Sequence, residues 1–582
     1  MSDFSKHRQD SAALLAVIGF IIITILSVWK LKQFKYRLVH ETGGAMFYGM
    51  VLGAMVRLWS GWTEDSEGVC SCVGLNSSQT NQGSPLVSTL LKETFDPEVL
   101  FNLFLPPIIF HGAYTLNQKR FIGNLGSVVT FAFLGTVITC VIIGACVYGF
   151  TRLMVLLGQA ADGDFPLTDC LLFGAIMSAT DPVSVLGLFS ELRVEPDLYA
   201  LLFGESVLND AVAIVLTHAI TTYSHMGGGH TFDTPAFFLS VGYFVAVFAG
   251  SLLLGFIFTV ITALLTKFTG LCESPLLETS LFFLLSWSSF LSAEASGLSG
   301  IVAVLFCGLS QARYTIHNLS SESKTRIKQL FEFFNFLGEI FISSYMGFVL
   351  LTFPHHVFKA LFIVGAFLAI FISRACNIYP LSFLLNLGRT TKIPRAIQHF
   401  MMFAGLRGAV AFALAVRDTS TEVRRTILTT TLLLVGFTIW LLGSATGPVL
   451  RWLDIRVGVD ADENPEDLPF DQVATGRPDT TLGLWHRLDY KYLKPVLTHS
   501  GPPLTGSLPL CCGLLARLFS SPHACEDQEQ LRDTEAGSAS CELERAETPQ
   551  GDTGSNSELE HQDDLLEGDL GLGTSPAQAV EA

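Results

Sequence analysis

From Ser11 to Leu450 the chain is a succession of apolar runs, most of them near the ~20 residues a helix needs to cross a bilayer. In lipid each backbone N–H and C=O must find its partner within the protein, which restricts such runs to helices. They fall at residues 11–29, 42–60, 98–115, 124–157, 168–190, 199–222, 236–266, 276–294, 297–311, 329–353, 356–385, 396–416 and 426–450. The expected fold is an all-α polytopic membrane protein of about 13 transmembrane helices, occupying residues 1–455. Only 15% of residues are charged, against about 25% in soluble domains.

The first run leads directly into Lys30, Lys32, Lys35 and Arg37. That basic flank marks a retained span with its C-terminal end in the cytosol. The N-terminus is then lumenal, and an odd number of spans puts the C-terminus in the cytosol. The loop after the second run holds Glu64, Asp65, Glu67 and the sequon at Asn76; it should be lumenal, with Asn76 a glycosylation candidate. Arg313, Lys324, Arg326, Lys328, Arg389, Lys392 and Arg395 fall on the cytosolic side. Arg417, Arg424 and Arg425 fall on the lumenal side, against the bias, and a second sequon at Asn318 is cytosolic and unused.

Residues 456–582 carry 24 acidic and 8 basic side chains, whereas the first 455 carry 28 and 27. This second region reads as an acidic cytosolic regulatory tail, largely disordered, and partly helical near 480–500, around Leu484–Lys494. Cys511-Cys512 is a loose palmitoylation pattern. The charge balance excludes a nucleic-acid partner bound through bulk positive charge, and no cofactor-binding motif is present. Pairing of Cys70 and Cys72 is left open.

An ionisable group at mid-bilayer costs about 2.5–3.5 kcal/mol on insertion scales, so such residues are rare and functional by default. The fifth run holds Ser178-Ala-Thr-Asp-Pro-Val-Ser184 and the sixth Gly204-Glu-Ser-Val-Leu-Asn-Asp210. The tenth holds Glu339, the eleventh Arg374 and the twelfth Gly405-Leu-Arg-Gly408. On a helix Ser206 and Asp210 share a face, with Glu205 and Asn209 beside them. A single polar residue can simply bond a neighbouring helix; four on one side of an apolar span point to a site. His111 and His218 stand singly and read as packing or weak modulators.

Pro182 removes a backbone donor and pushes Asp181 out of the helical region. The fifth run should therefore break, exposing carbonyls together with Thr180 and Asp181. Transporters pair such broken helices, one from each of two inverted repeats, at the midplane. The matching break is expected in the twelfth run, where Gly405 and Gly408 flank Arg407. Arg407 can offset the negative half-helix ends, although a kinked packing contact would read the same way. Arg374 stays charged and needs a carboxylate; Glu205 and Glu339 are the candidates.

If Glu205 is paired, Asp210 is the free acid. Such a carboxylate holds a proton or a cation, not both, which is antiport. Oxygens of Asp210, Ser206, Thr180 and Asp181 suit Na+ or K+ at Asp210, and no Cys/His cluster suggests a softer metal. Asn209 brings a dipole without charge, which predicts one-for-one, electroneutral exchange. The reading is a transporter, not an enzyme, without a cofactor. An intramembrane aspartyl protease would pair Asp181 with Asp210, but it needs a Tyr before the first acid and Gly before the second; Thr180 and Asn209 stand there. A channel would need rings of charge or carbonyls. A membrane scaffold or sensor without transport would tolerate loss of the Asp210 charge.

Together, Leu105-Pro-Pro-Ile-Ile-Phe110, Ser178-Ala-Thr-Asp-Pro-Val183, Phe203-Gly-Glu-Ser-Val-Leu-Asn-Asp-Ala211 and Gly405-Leu-Arg-Gly-Ala409 resemble the sodium/proton exchangers of the monovalent cation/proton antiporter superfamily. The resemblance covers residues 12–500 and rests on the order and spacing of the motifs. It implies a cation/proton pair at Asn209 and Asp210, broken-helix residues Asp181 and Arg407, and a salt bridge between Glu205 and Arg374. His40-Glu-Thr-Gly-Gly44, Thr94-Phe-Asp-Pro97, Ala375-Cys-Asn-Ile-Tyr-Pro380 and Leu497-Thr-His-Ser-Gly-Pro-Pro503 resemble the organellar subgroup. The segment Glu567–Gly573 resembles one of its members, over too few residues to fix a paralogue. The subgroup implies Na+ or K+ transport, elevator-type alternating access, a homodimer, and early or recycling endosomes, with the plasma membrane as an alternative location. The chain departs from it in two places. The lumenal loop after the second run is nearly free of basic residues, which argues against a site for anionic membrane lipids there. The tail after Glu526 matches poorly, so cytosolic partners of relatives are not transferred.

Overall fold

The computed structural model describes residues 18–30, 41–66, 100–116, 118–158, 163–181, 196–226, 234–269, 271–353, 356–388, 392–455 and 493–498, with residues 15, 161 and 489. Asn76, Cys70, Cys72, Cys511 and Cys512 lie outside them. All described residues belong to one compact unit, Met1–His523; the second unit, Ala524–Ala582, lies wholly outside the description.

Among the described residues there is helix and no strand. The helices are α1 (Ile18–Lys30), α2 (Glu41–Ser66), α3 (Leu105–Thr115), α4 (Leu125–Leu156), α5 (Leu167–Ile176), α6 (Pro196–Met226) and α7 (Thr234–Phe268). They continue with α8 (Pro275–Ala295), α9 (Gly300–Gln311), α10 (Ser321–Thr352), α11 (Ala360–Gly388), α12 (Arg395–Phe403), α13 (Ala409–Val416), α14 (Glu422–Trp452) and α15 (Lys494–Leu497). Among the described residues seven spans, in α4, α6, α7, α8, α10, α11 and α14, are long and apolar enough to cross a membrane. The protein is thus a multi-pass membrane protein. Length alone does not recover thirteen spans, because several runs appear as short or interrupted helices.

Two of those interruptions matter most. α5 stops at Ile176, and Met177–Asp181 run on without helix. The twelfth run is two helices, α12 and α13, joined by the unwound Ala404–Gly408. Both expected interruptions, in the fifth and the twelfth apolar runs, are present. α10 instead begins earlier than its apolar run, because the Ser320 hydroxyl accepts from the Ser323 N–H (3.3 Å) and Glu322 pairs with Arg326 one turn on. Those charged first turns extend the helix beyond its apolar part.

Packing separates the helices into two sets. α4, α5, α6 and α11–α14 carry the breaks; α2, α3 and α7–α10 lie beside them. Within the second set α2 and α10 meet backbone to backbone. A Cβ added at Gly49 would stand 1.9 Å from the Ser344 carbonyl oxygen, and one at Gly347 2.0 Å from that of Met46. Small residues permit this approach, as in membrane helix pairs generally.

Two of the arginines expected to run against the positive-inside bias, Arg424 and Arg425, have local partners. Arg424 pairs with Asp169 at 3.2 Å and with Asp418 at 3.8 Å, and Arg425 Nε donates to the Thr419 carbonyl (3.1 Å).

The described part of the tail is pinned to helix ends instead of lying free. Buried Asp489 accepts from Arg313 and from the Tyr314 hydroxyl (2.6 Å for the latter). Lys267 Nζ donates to the Pro495 and Val496 carbonyls at 2.9 and 3.1 Å. Asn318, buried and therefore an unsuitable sequon, donates to the Leu497 carbonyl at 2.7 Å. Leu497 packs with Ala263 and Tyr314. Burial, followed by the hydrogen bond to Asp489, pushes the Tyr314 hydroxyl well above the usual tyrosine range, so it stays protonated and keeps donating. Asp489→Ala strands both donors. It is expected to destabilise this docking by about 2–3 kcal/mol. Limited proteolysis checks it: cleavage near residue 490 should accelerate in the variant, and an unchanged rate would show that the apolar contacts alone hold the tail.

Candidate functional site

The two breaks face each other. The Asp181 backbone N–H donates to the Leu406 carbonyl (2.9 Å), tying one unwound segment to the other. Gly408 permits the approach: a Cβ there would stand 2.1 Å from Asp181 Oδ2.

Each negative half-helix end meets a guanidinium. Fully buried Arg407 donates through Nη1 to the Ser178 and Ala179 carbonyls at 3.2 and 3.0 Å, just past the end of α5. Arg374, from α11, donates through Nη2 to the Met401 carbonyl in the last turn of α12 (2.6 Å). Its Nη1 pairs with Glu205 Oε1 at 2.8 Å, both side chains being buried. Helix C-termini carry unsatisfied carbonyls and partial negative charge, so the same device serves both breaks. Of the two carboxylates proposed for Arg374, Glu205 is the partner. Glu339 lies half-buried on α10 and accepts from Asn335 Nδ2 (2.5 Å).

Around this frame α6 presents its polar side. Asn209 Nδ2 donates to the Ser178 carbonyl (2.9 Å) and to Thr180 Oγ1 (3.2 Å). Thr180 Oγ1 donates in turn to Ser206 Oγ (3.1 Å). Asp210 follows Ser206 by one turn. It is only partly buried, yet its Oδ1 is shielded and has no hydrogen-bond partner among the described residues. The structure thus gathers Thr180, Asp181, Glu205, Ser206, Asn209, Asp210, Arg374 and Arg407 at one crossing. A carboxylate, two hydroxyls and unwound carbonyls offer a hard cation oxygen ligands. Among the described residues no group of three His, Cys, Asp or Glu is placed to hold a metal ion.

Three neighbours escaped the sequence reading. Thr136 of α4 hydrogen-bonds Asn209 Oδ1 at 2.8 Å. Thr139, one turn on, accepts from Asn377 of α11 at 3.2 Å. Thr438 of α14 accepts from the Arg407 backbone N–H at 3.2 Å. Two of them adjoin π-helical turns, Phe131–Gly135 just before Thr136 and Thr438–Leu442 beginning at Thr438. Such turns recur at functional sites, but an apolar run with one extra residue looks the same in sequence. A cavity of about 530 Å³ opens on α6 beyond the site, lined by Ile214, His218, Tyr243, Glu294 and Arg417 among others. Ile214 and His218 lie one and two turns from Asp210. His218 therefore faces a cavity, where packing was one of the expectations.

Comparison with known proteins agrees with this geometry. The profile of the family "Sodium/hydrogen exchanger, transmembrane" matches residues 15–452. Human "Sodium/hydrogen exchanger 9" is 51% identical over 98% of this chain and 96% of its own length. Human "Sodium/hydrogen exchanger 7" is 48% identical over 91% of this chain and 81% of its own. Among solved structures, the sodium proton antiporter MjNhaP1 from Methanocaldococcus jannaschii aligns with a TM-score of 0.53 at 17% identity. The alignment covers 76% of this chain and 99% of that one, and shows a shared fold.

Proposed function

The chain belongs to the sodium/hydrogen exchanger family, and from that membership we propose that it exchanges a monovalent cation, Na+ or K+, for H+ at Asp210. The observation that carries this is the division of labour between two carboxylates on one helix. Glu205 is committed to Arg374 through Oε1, whereas Asp210, with a shielded and unpartnered Oδ1, forms no ion pair among the described residues. A site with one uncommitted acid and a neutral Asn209 beside it carries one charge per cycle in each direction, so exchange is electroneutral. Ser206 and Thr180 supply neutral oxygens, and Asp181 sits opposite. Protonation of Asp210 removes the charge that holds the cation, which makes proton and cation alternate.

The two helix sets suit alternating access, with the set bearing the breaks moving against α2, α3 and α7–α10. The cavity along α6 is then the lumenal approach. The organellar motifs support early or recycling endosomes as the location, exchange that regulates lumenal pH, a homodimer, a lumenal N-terminus with Asn76 glycosylated, and a cytosolic tail.

Purified protein in sealed liposomes, with a pH dye inside, tests this reading. With an acidic interior, external Na+ or K+ should alkalinise the lumen, and clamping the voltage should leave the rate unchanged. A rate that follows the clamped voltage would refute one-for-one exchange. No cation-dependent flux from folded protein would favour the scaffold or sensor reading.

A further inference from the structure

The arrangement around Asn209 assigns a role to a residue in a different span. Ser178 offers Asn209 a backbone carbonyl, which can only accept. The amide nitrogen must therefore face it, as the 2.9 Å contact shows. Asn209 Oδ1 is then turned to Thr136, 2.8 Å away on α4. Both residues are buried, at 4% and 1% exposure. The Thr136 hydroxyl has one proton and two acceptors in reach, Asn209 Oδ1 and the Ala132 carbonyl.

Resting on the exchange reading above, we infer that Thr136 is a positioning residue for the cation site. Its proton holds the Asn209 carbonyl away from the cation, so that Asn209 acts as a brace and not as a ligand. The brace joins three spans: α4 through Thr136, α6 through Asn209, and the unwound end of α5 through Ser178 and Thr180. Thr180 passes the tie on to Ser206, which shares a face with Asp210. Without the Thr136 proton, Asn209 Oδ1 is buried and unsatisfied. The amide then turns to find a donor, and Thr180 loses its anchor. Gly135 supports the placement from behind: a Cβ there would stand 2.7 Å from Asn377 Oδ1, so a bare residue before Thr136 lets α4 and the Asn377 side chain approach closely.

The test compares Thr136→Val, which keeps the shape and removes the hydroxyl, with Thr136→Ser, which keeps the hydroxyl. Both are measured in the liposome assay against wild type at fixed pH. In Thr136→Val the KM for Na+ and for K+ should rise about tenfold with the maximal rate within about twofold, the pattern of lost binding common to ground and transition states. Thr136→Ser should keep KM within about twofold of wild type. Protection against thermal unfolding by added Na+ or K+ should shift to higher concentration by the same factor in Thr136→Val. If that variant does not fold, Thr136→Ala carries the same expectation. An unchanged KM in Thr136→Val would overturn the inference and leave the proton with the Ala132 carbonyl. Equal defects in Val and Ser variants would overturn it in favour of side-chain shape. Failure of the exchange reading is separate: wild type itself would then show no cation-dependent flux.

Discussion

Asp210→Asn is expected to reduce cation-dependent proton exchange to the level of empty liposomes while leaving the protein folded. The substitution is nearly isosteric. It leaves the Asn209, Thr180 and Ser206 bonds in place, since none of them uses the Asp210 side chain. What disappears is the Asp210 charge and, with it, the group that carries the proton. A neutral amide cannot alternate between the two ions, so loss should be complete and not a shift in KM. Cation-dependent protection against thermal unfolding should vanish with it, while the unfolding temperature without cation stays within a few degrees. Undiminished exchange would move the coupling site to Asp181 or Glu205. Loss of folding would leave the thermal protection of wild type as the readout, to be compared with Asp210→Glu.

Glu205→Ala and Arg374→Ala should each destabilise the fold by about 3–5 kcal/mol, because removing one member of a buried pair strands the other charge. The two variants are not equivalent. Arg374 also holds the Met401 carbonyl at the end of α12, so its loss opens the twelfth-run break as well as stranding Glu205. Thermal unfolding in detergent should therefore rank Arg374→Ala below Glu205→Ala. The double variant should be more stable than the sum of the single effects predicts, since each single variant leaves an uncompensated charge that the double one lacks. Additive losses would mean that the 2.8 Å contact contributes nothing, and that solvent reaches both groups in the folded protein.

The sequence made the breaks legible because their causes are local. Pro182 disrupts the turn before it, and Gly405 and Gly408 flank a charge that apolar surroundings cannot otherwise explain. Asp210 and Arg407 were visible for the same reason, as ionisable groups in apolar runs. Thr136, Thr139 and Thr438 were not, because threonine is common in membrane helices and usually bonds its own helix, as Thr352 does to the Phe348 carbonyl. Their role depends on which helix lies opposite, and that is a tertiary fact. The choice between Glu205 and Glu339 as the partner of Arg374 was open for the same reason. The docking of the tail was hidden further still, since it relies on carbonyls of Pro495, Val496 and Leu497, and every residue type but one offers the same carbonyl and N–H to a partner.

The pairing of the arginines with distant partners has a consequence for how the chain is made. Arg374 lies 169 residues after Glu205, and Arg407 lies 229 residues after Ser178. At 5–20 residues per second, the ribosome needs about 10–45 s to supply each counter-charge. During that interval α5 and α6 are already synthesised, with a bare carboxylate and open carbonyl ends. Integration of the early spans is thus a waiting state, held by apolar surface and by Asn209. Any slowing of translation between codons 210 and 407 would lengthen the period in which a half-built transporter is open to degradation.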